Sequence, residues 1–168
     1  MACGPKYFTY INQELPTLCR RFFGIQPVPE RTYIMGLSMG GYGAMKCAFT
    51  APQQYAGCAG FSSVAEIQAE LPQLCRWHED QAIFPHGIVP PQDDLFDLVE
   101  KFRDGTCPMP RLFLACGQQD SLYPANLRLR DTLQAMNWPL TWYEAPGDHN
   151  WFFWNDALGR AMKELLEN

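Results

Sequence analysis

The sequence predicts an α/β fold, a mostly parallel sheet with helices on both faces. Three observations predict it. Apolar runs of six or seven residues, rich in β-branched, aromatic and aliphatic side chains, recur along the chain. Between them lie stretches whose apolar residues repeat every three or four positions. Pro and Gly mark the junctions, so strands alternate with helices, which implies parallel pairing through right-handed crossovers.

From the amino terminus, Tyr7 to Phe23 places Phe8, Ile11, Leu15, Leu18 and Phe22 on one face of a helix, with a kink expected at Pro16. After a loop over Gly24–Glu30, Thr32–Leu37 reads as a buried strand. Met39–Thr50, rich in Ala, Met, Lys and Phe, forms a helix that stops before Pro52. Tyr55–Phe61 is a second strand, Arg111–Cys116 a third entered through Pro108 and Pro110, and Leu140–Ala145 a fourth. Leu122–Asn137 is the helix between the last two strands. Trp151–Leu166 closes the chain, with Trp154, Ala157, Leu158, Ala161, Met162 and Leu165 as its buried stripe. The segment Ser63–Gly105 is long, holds Pro85, Pro90 and Pro91, and contains short helical pieces. An insertion after a strand end in an open α/β sheet often covers the ligand crevice, so one domain over 1–168 with a cap-like insertion at about 63–105 is expected.

With 168 residues and 47% hydrophobic content, the chain has enough apolar material for one real core. A net charge of −5 argues against nucleic acid or an anionic membrane surface as partner. The opening MACGPKYFTY has no basic region followed by an apolar core, so no signal peptide is expected, and no apolar run approaches the ~20 residues that span a bilayer. Seven cysteines, none in a C-x-x-C pair, read as separate thiols in a reducing cytoplasm, not as a disulfide framework or zinc site. No cofactor and no metal are expected. Asp93, Asp94, Asp97 and Glu100 alternate with Leu95, Phe96, Leu98 and Val99, which suits the solvated face of a helix better than a metal cluster.

The chemistry starts at Gly36-Leu37-Ser38-Met39-Gly40, the pattern G-x-S-x-G. The pentapeptide alone says little; a strand before it and a helix after it say more. On a sharp strand-to-helix turn the serine is forced out above the sheet edge in a strained backbone geometry. Gly36 and Gly40 are expected to leave room for the turn, and Gly41 and Gly43 to let the helix lie close on the sheet.

A serine hydroxyl is a poor nucleophile until an imidazole takes its proton. Three histidines exist, His78, His86 and His149. His149 lies in APGDHNWFFW, directly after the last strand, where the carboxyl ends of parallel strands present reactive groups. His78 and His86 lie in the 63–105 segment and read as surface or cap histidines. The orienting acid should follow another strand end, and ACGQQD places Asp120 four residues past Cys116. Asp148 competes, although a side chain adjacent to the histidine in sequence seldom reaches its ring. The order Ser38, Asp120, His149 is that of α/β-hydrolases and differs from chymotrypsin-type and subtilisin-type enzymes. Among the aromatics after the histidine, Trp151 is the candidate substrate contact, while helix packing accounts equally well for most of Trp151, Phe152, Phe153 and Trp154.

GLSMGGYGA, DLFDLVEKFRDG, LFLACGQQDSLYPANLRLRD and PGDHNWFFW together resemble the esterase D-like α/β-hydrolases, over nearly the whole chain. That family includes tributyrin-type carboxylesterases, S-formylglutathione hydrolases, and acetyl-xylan or feruloyl esterases. The resemblance implies Ser38 as nucleophile, Asp120 as orienting acid, His149 as base, and the Met39 N–H as one oxyanion-hole donor. It implies a small-molecule ester as substrate, hydrolysed as a short-chain carboxylic ester through an acyl-serine. The departure is at the front. Family members carry a further stretch before the helix that starts near Tyr7, and Met1-Ala2-Cys3-Gly4 is similar to an internal stretch of such proteins. A partial α/β-hydrolase fold is therefore expected, with the N-terminal strands missing and, with them, the loop that donates the second oxyanion N–H. The strand Thr32–Leu37 then has no neighbour on one side, and its apolar edge is a template for a homo-oligomer. Two other readings compete: a non-catalytic remnant acting as an interaction module, and a serine peptidase of the oligopeptidase type, against which the small size weighs.

Overall fold

The computed structural model describes residues 6–74 and 83–167. Four strands, β1 (Tyr33–Leu37), β2 (Gly57–Phe61), β3 (Arg111–Gly117) and β4 (Leu140–Ala145), form one sheet in the order β1-β2-β3-β4. Every neighbouring pair is parallel. The register matches Leu37 with Phe61 and Phe61 with Ala115, so the carboxyl ends of the first three strands lie level.

Side-chain alternation sorts the sheet into two faces. Ile34, Cys58, Leu112, Leu114, Leu140 and Trp142 point to one face. Tyr33, Met35, Leu37, Ala59, Phe61, Phe113, Ala115 and Tyr143 point to the other. The first face is covered by α3 (Met39–Thr50), by α6 (Tyr123–Ala135) and by the segment between β2 and β3, which contains α4 (Ile67–Leu74) and α5 (Leu95–Glu100). The second face is covered by α7 (Trp151–Leu166), whose Phe153, Trp154, Ala157, Ala161 and Leu165 pack on β2 and β3. A sheet built in sequential order with crossovers of one hand puts its connecting helices on one face, so the helix after the last strand is left to cover the other.

The 63–105 segment contributes Val64, Ala65, Ile67, Leu71, Phe84, Leu95, Val99 and Phe102 to the first core. Phe102 meets Trp138 edge-on at 4.6 Å, and Phe49 packs against both rings. A partly buried ion pair between Lys46 and Asp93, and the Tyr42 hydroxyl donating to the Asp93 carbonyl oxygen, tie this segment to α3. Asp94 caps α5, its Oδ1 accepting from Phe96 N–H at 2.8 Å. Cys19, Cys47, Cys58, Cys107 and Cys116 are free thiols. Burial raises the Cys47 and Cys58 thiols and, with the nearby Asp120 carboxylate, pushes Cys116 up to about 12.

Several expectations change. The first helix is not evenly kinked at Pro16: α1 (Tyr7–Thr9) and α2 (Leu15–Phe23) flank a π-helical stretch at Tyr10–Glu14. Pro16 has no N–H to give to Asn12, and the wider turn just before it, with Leu15 N–H bonding to Tyr10 O, absorbs the mismatch. Much of its apolar face is left open: Phe8 packs on the first core, but Ile11, Leu18 and Phe22 are exposed, and Asn12 is the residue buried, bonded to Tyr55 Oη and Cys47 Sγ. In α7, Leu158 and Met162 are exposed and Phe153 takes a place in the buried stripe. That stripe lies over β2 and β3, and Leu158 falls toward β1, where no helix of the described residues continues the layer. β1 itself is half-buried along its length, because it is a sheet edge.

Candidate active site

β1 ends by donating Ser38 N–H to Phe61 O at 2.9 Å, so the sheet ladder runs up to the serine itself. The chain then reverses into α3, whose first turn bonds Gly41 N–H and Tyr42 N–H to Ser38 O. The reversal sets Ser38 at φ 54°, ψ −122°, in the left-handed range that costs a non-glycine residue about 1–3 kcal/mol. Two glycines make it possible. A Cβ on Gly36 would run into the Gly40 carbonyl, and one on Gly41 would occupy the place of the Ser63 hydroxyl. Gly40 and Gly43 face open space, so the sequence pattern assigns them a steric role they do not have. Gly36→Ala is accordingly expected to destabilise the fold by about 3 kcal/mol or more, while Gly40→Ala changes it by under about 1 kcal/mol. Denaturant midpoints of the two variants check this.

The Asp120 and His149 loops are fastened together before they reach the serine. Gly117 lies against Gly147 so closely that a Cβ would strike the Gly147 carbonyl. Gln119 N–H donates to Gly147 O at 2.9 Å, and Gly147 N–H returns a bond to Gln119 Oε1 at 2.6 Å. Asp120 is buried, with Oδ1 accepting from Leu122 N–H at 2.9 Å. Its Oδ2 lies 2.8 Å from His149 Nδ1, and His149 Nε2 lies 3.0 Å from Ser38 Oγ. A buried acceptor on one ring nitrogen places the proton there and leaves Nε2 as the acceptor facing the hydroxyl.

The other candidates separate cleanly. The Asp148 carboxylate accepts the His149 backbone N–H at 2.7 Å, so it organises the loop and the imidazole meets Asp120. His86 is exposed, at φ 63° in a turn on the 63–105 segment; His78 lies outside the described residues. The Met39 N–H opens the first turn of α3, where no residue of the helix precedes it by four. Trp151 is exposed and meets Trp154 edge-on at 5.4 Å; Phe152 is 92% exposed, so packing accounts for Phe153 and Trp154 but not for these two. No group of three or more His, Cys, Asp or Glu among the described residues is arranged to hold a metal, and none of their helices is long and apolar enough to cross a membrane.

Two apolar grooves border β1. One of about 210 Å³ is lined by Met35, Leu37, Phe61, Trp151, Trp154 and Leu158. A larger one of about 600 Å³ lies between the first helix and β1, and contains none of Ser38, Asp120 and His149.

The family model described as "Putative esterase" matches residues 2–104. The chain belongs to this esterase family. It is similar to an acetyl esterase of Caldicellulosiruptor saccharolyticus, 28% identical over 94% of this chain and 63% of that protein. Among solved structures it is similar to fluorophosphonate-binding serine hydrolase F of Staphylococcus aureus, at TM-score 0.87 and 30% identity, covering 100% of this chain and 66% of that one. An S-formylglutathione hydrolase of Staphylococcus aureus matches at TM-score 0.78 and 30% identity, over 95% and 60%. The chain thus spans less than two thirds of these relatives, and its sheet is a part of the α/β-hydrolase fold.

In this esterase-family chain, sequence reasoning passes over three buried polar residues around the site, Ser62, Ser63 and Asn126. Asn126 Nδ2 donates to Ser63 O and its Oδ1 accepts from Ser63 N–H, pinning the loop after β2 to α6. Ser62 sits at φ 44° and takes a bond from Trp154 Nε1. The only signal available was the dipeptide Ser62-Ser63 directly after a strand, a position where polar residues need a buried partner.

Proposed function

We propose that this chain carries the catalytic centre of a serine carboxylesterase acting on short-chain carboxylic esters. Ser38 Oγ attacks the ester carbonyl while His149 Nε2 takes its proton. Asp120 holds the imidazole and stabilises the imidazolium. The oxyanion is received by the Met39 N–H at the start of α3, where the helix dipole favours negative charge. His149 then returns the proton to the departing alcohol, and water, activated by the same nitrogen, releases the acid from the acyl-serine. One observation carries this reading: the continuous hydrogen-bonded line from Ser38 Oγ through His149 to the buried Asp120, ending on a serine held in a strained turn. A fluorophosphonate probe tests it. Mass spectrometry should locate the adduct on Ser38, and an unlabelled Ser38 would reject the proposal.

Substrate size follows from the small groove beside Leu37 and Trp154, with Trp151 as a substrate contact. Each methylene that fits adds up to ~0.8 kcal/mol of burial, and one that clashes reverses the sign. Turnover of p-nitrophenyl acetate and butyrate should exceed that of the palmitate ester; rates rising steadily with chain length would contradict a small pocket. Cleavage of peptides without turnover of these esters would point instead to a peptidase. The free thiols support a reducing, cytoplasmic setting.

A further inference from the structure

Two hydrogen bonds hold the two nitrogens of the His149 ring, but they leave it free to tilt about the line joining them. Trp154 stands against it. The two rings are 4.8 Å apart at their centroids and 87° to one another, and Trp154 is buried on the face covered by α7. The indole is itself anchored: its Nε1–H donates to Ser62 Oγ at 3.1 Å in a buried bond. Ser62 follows Phe61 at the end of β2 as Ser38 follows Leu37 at the end of β1, and both serines have positive φ, 44° and 54°. At such a φ glycine is free of strain, so a serine at position 62 brings a hydroxyl at the expense of backbone comfort. The backbone of Ser62 is held as well, its N–H donating to Ala115 O at 2.7 Å.

We infer that Trp154 is a positioning residue for His149, and that the Ser62 hydroxyl is the anchor that sets the angle of its indole. The inference rests on the reading of Ser38, His149 and Asp120 as an acyl-transfer centre. Trp154 keeps the imidazole in the plane that joins Asp120 Oδ2 to Ser38 Oγ, and its perpendicular ring blocks the tilt that would draw Nε2 off the hydroxyl. A misplacement of about 1 Å at such a site lowers rates by up to ~10²-fold, so the expected losses are of measurable size.

The test measures fluorophosphonate labelling rates of the 168-residue chain alongside the NMR resonances of the His149 imidazole C–H protons, identified by their absence in His149→Ala. Trp154→Phe keeps a ring and loses the donor; Ser62→Gly loses the acceptor and relieves the backbone, so it is expected to fold even if the tryptophan variant does not. Each should label about tenfold more slowly and shift the His149 resonances, because the ring current beside the imidazole changes: a phenyl ring replaces the indole in one variant, and the indole turns away from its lost anchor in the other. The double variant should be no slower than either single one, since both remove the same bond. Phe152→Ser, on the exposed side of the same helical turn, should change neither. Wild-type rates with unmoved resonances in folded Ser62→Gly and Trp154→Phe would overturn the inference, as would slowing without any His149 shift, or losses that add in the double variant. Failure of the underlying reading looks different: His149→Ala would then label as fast as the unsubstituted chain.

Discussion

Replacing His149 with alanine is expected to abolish labelling and ester turnover as fully as Ser38→Ala does, a fall on the order of 10⁴–10⁶-fold. The reason is the 3.0 Å line from Nε2 to Ser38 Oγ, which makes the imidazole the one base within reach of the hydroxyl among the described residues. Asp120→Asn should retain the geometry and still cost on the order of 10⁴-fold, because an amide can leave the imidazole in the wrong tautomer. Combining Ser38→Ala with His149→Ala should lose nothing further, since members of such a set act as a unit. Labelling of His149→Ala at an undiminished rate would remove the base assignment, and additive losses would remove the claim that the three groups act together.

A polypeptide of these 168 residues, made by itself, is expected to self-associate through β1. That strand is one of the two sheet edges, and apolar surface lies on both sides of it. Ile11, Leu18, Ile25 and Val28 are exposed on the side of the first helix, and Trp151, Leu158 and Met162 on the side of α7. An apolar edge without charged residues offers unpaired N–H and C=O groups to another strand, and a second copy is the partner we propose. Sedimentation velocity should show mass rising with concentration, and Met35→Lys, which sets a charge beside that edge, should return the chain toward the monomer. The same polypeptide should turn over esters about 10²–10³-fold more slowly than a longer relative, the usual cost of one oxyanion donor when Met39 N–H acts alone. A monodisperse monomer with the turnover of a longer relative would overturn both expectations.

Much of this molecule is legible in the sequence, for identifiable reasons. Four short apolar runs mark the four strands to within two residues at each end: the inner strands β2 and β3 are buried on both faces and need apolar side chains nearly throughout, and the half-buried edges β1 and β4 still pack apolar side chains on the two cores. Ser38, Asp120 and His149 are readable because each follows a strand, and parallel strands deliver their carboxyl ends to one side of the sheet. Periodicity also finds α7, yet it cannot say which of two adjacent apolar lines faces inward. Leu158 and Met162 continue the three-to-four spacing as well as Phe153 does. What separates them is the position of the sheet edge, which no local window contains.

By itself, then, the sequence determined the order of the strands and long helices, the tight turn that carries Ser38 and the three groups that meet there, since each depends on local spacing or on the level ends of parallel strands. The tertiary structure alone decided what surrounds them. It brought Ser62 to the indole of Trp154, ninety-two residues away, and pressed Gly117 against Gly147 so that two loops share one clamp. It also left β1 as an edge with its flanking apolar residues uncovered. Such contacts depend on which strand lies beside which and on which face a helix returns to, and the side chains involved carry no periodic mark of it.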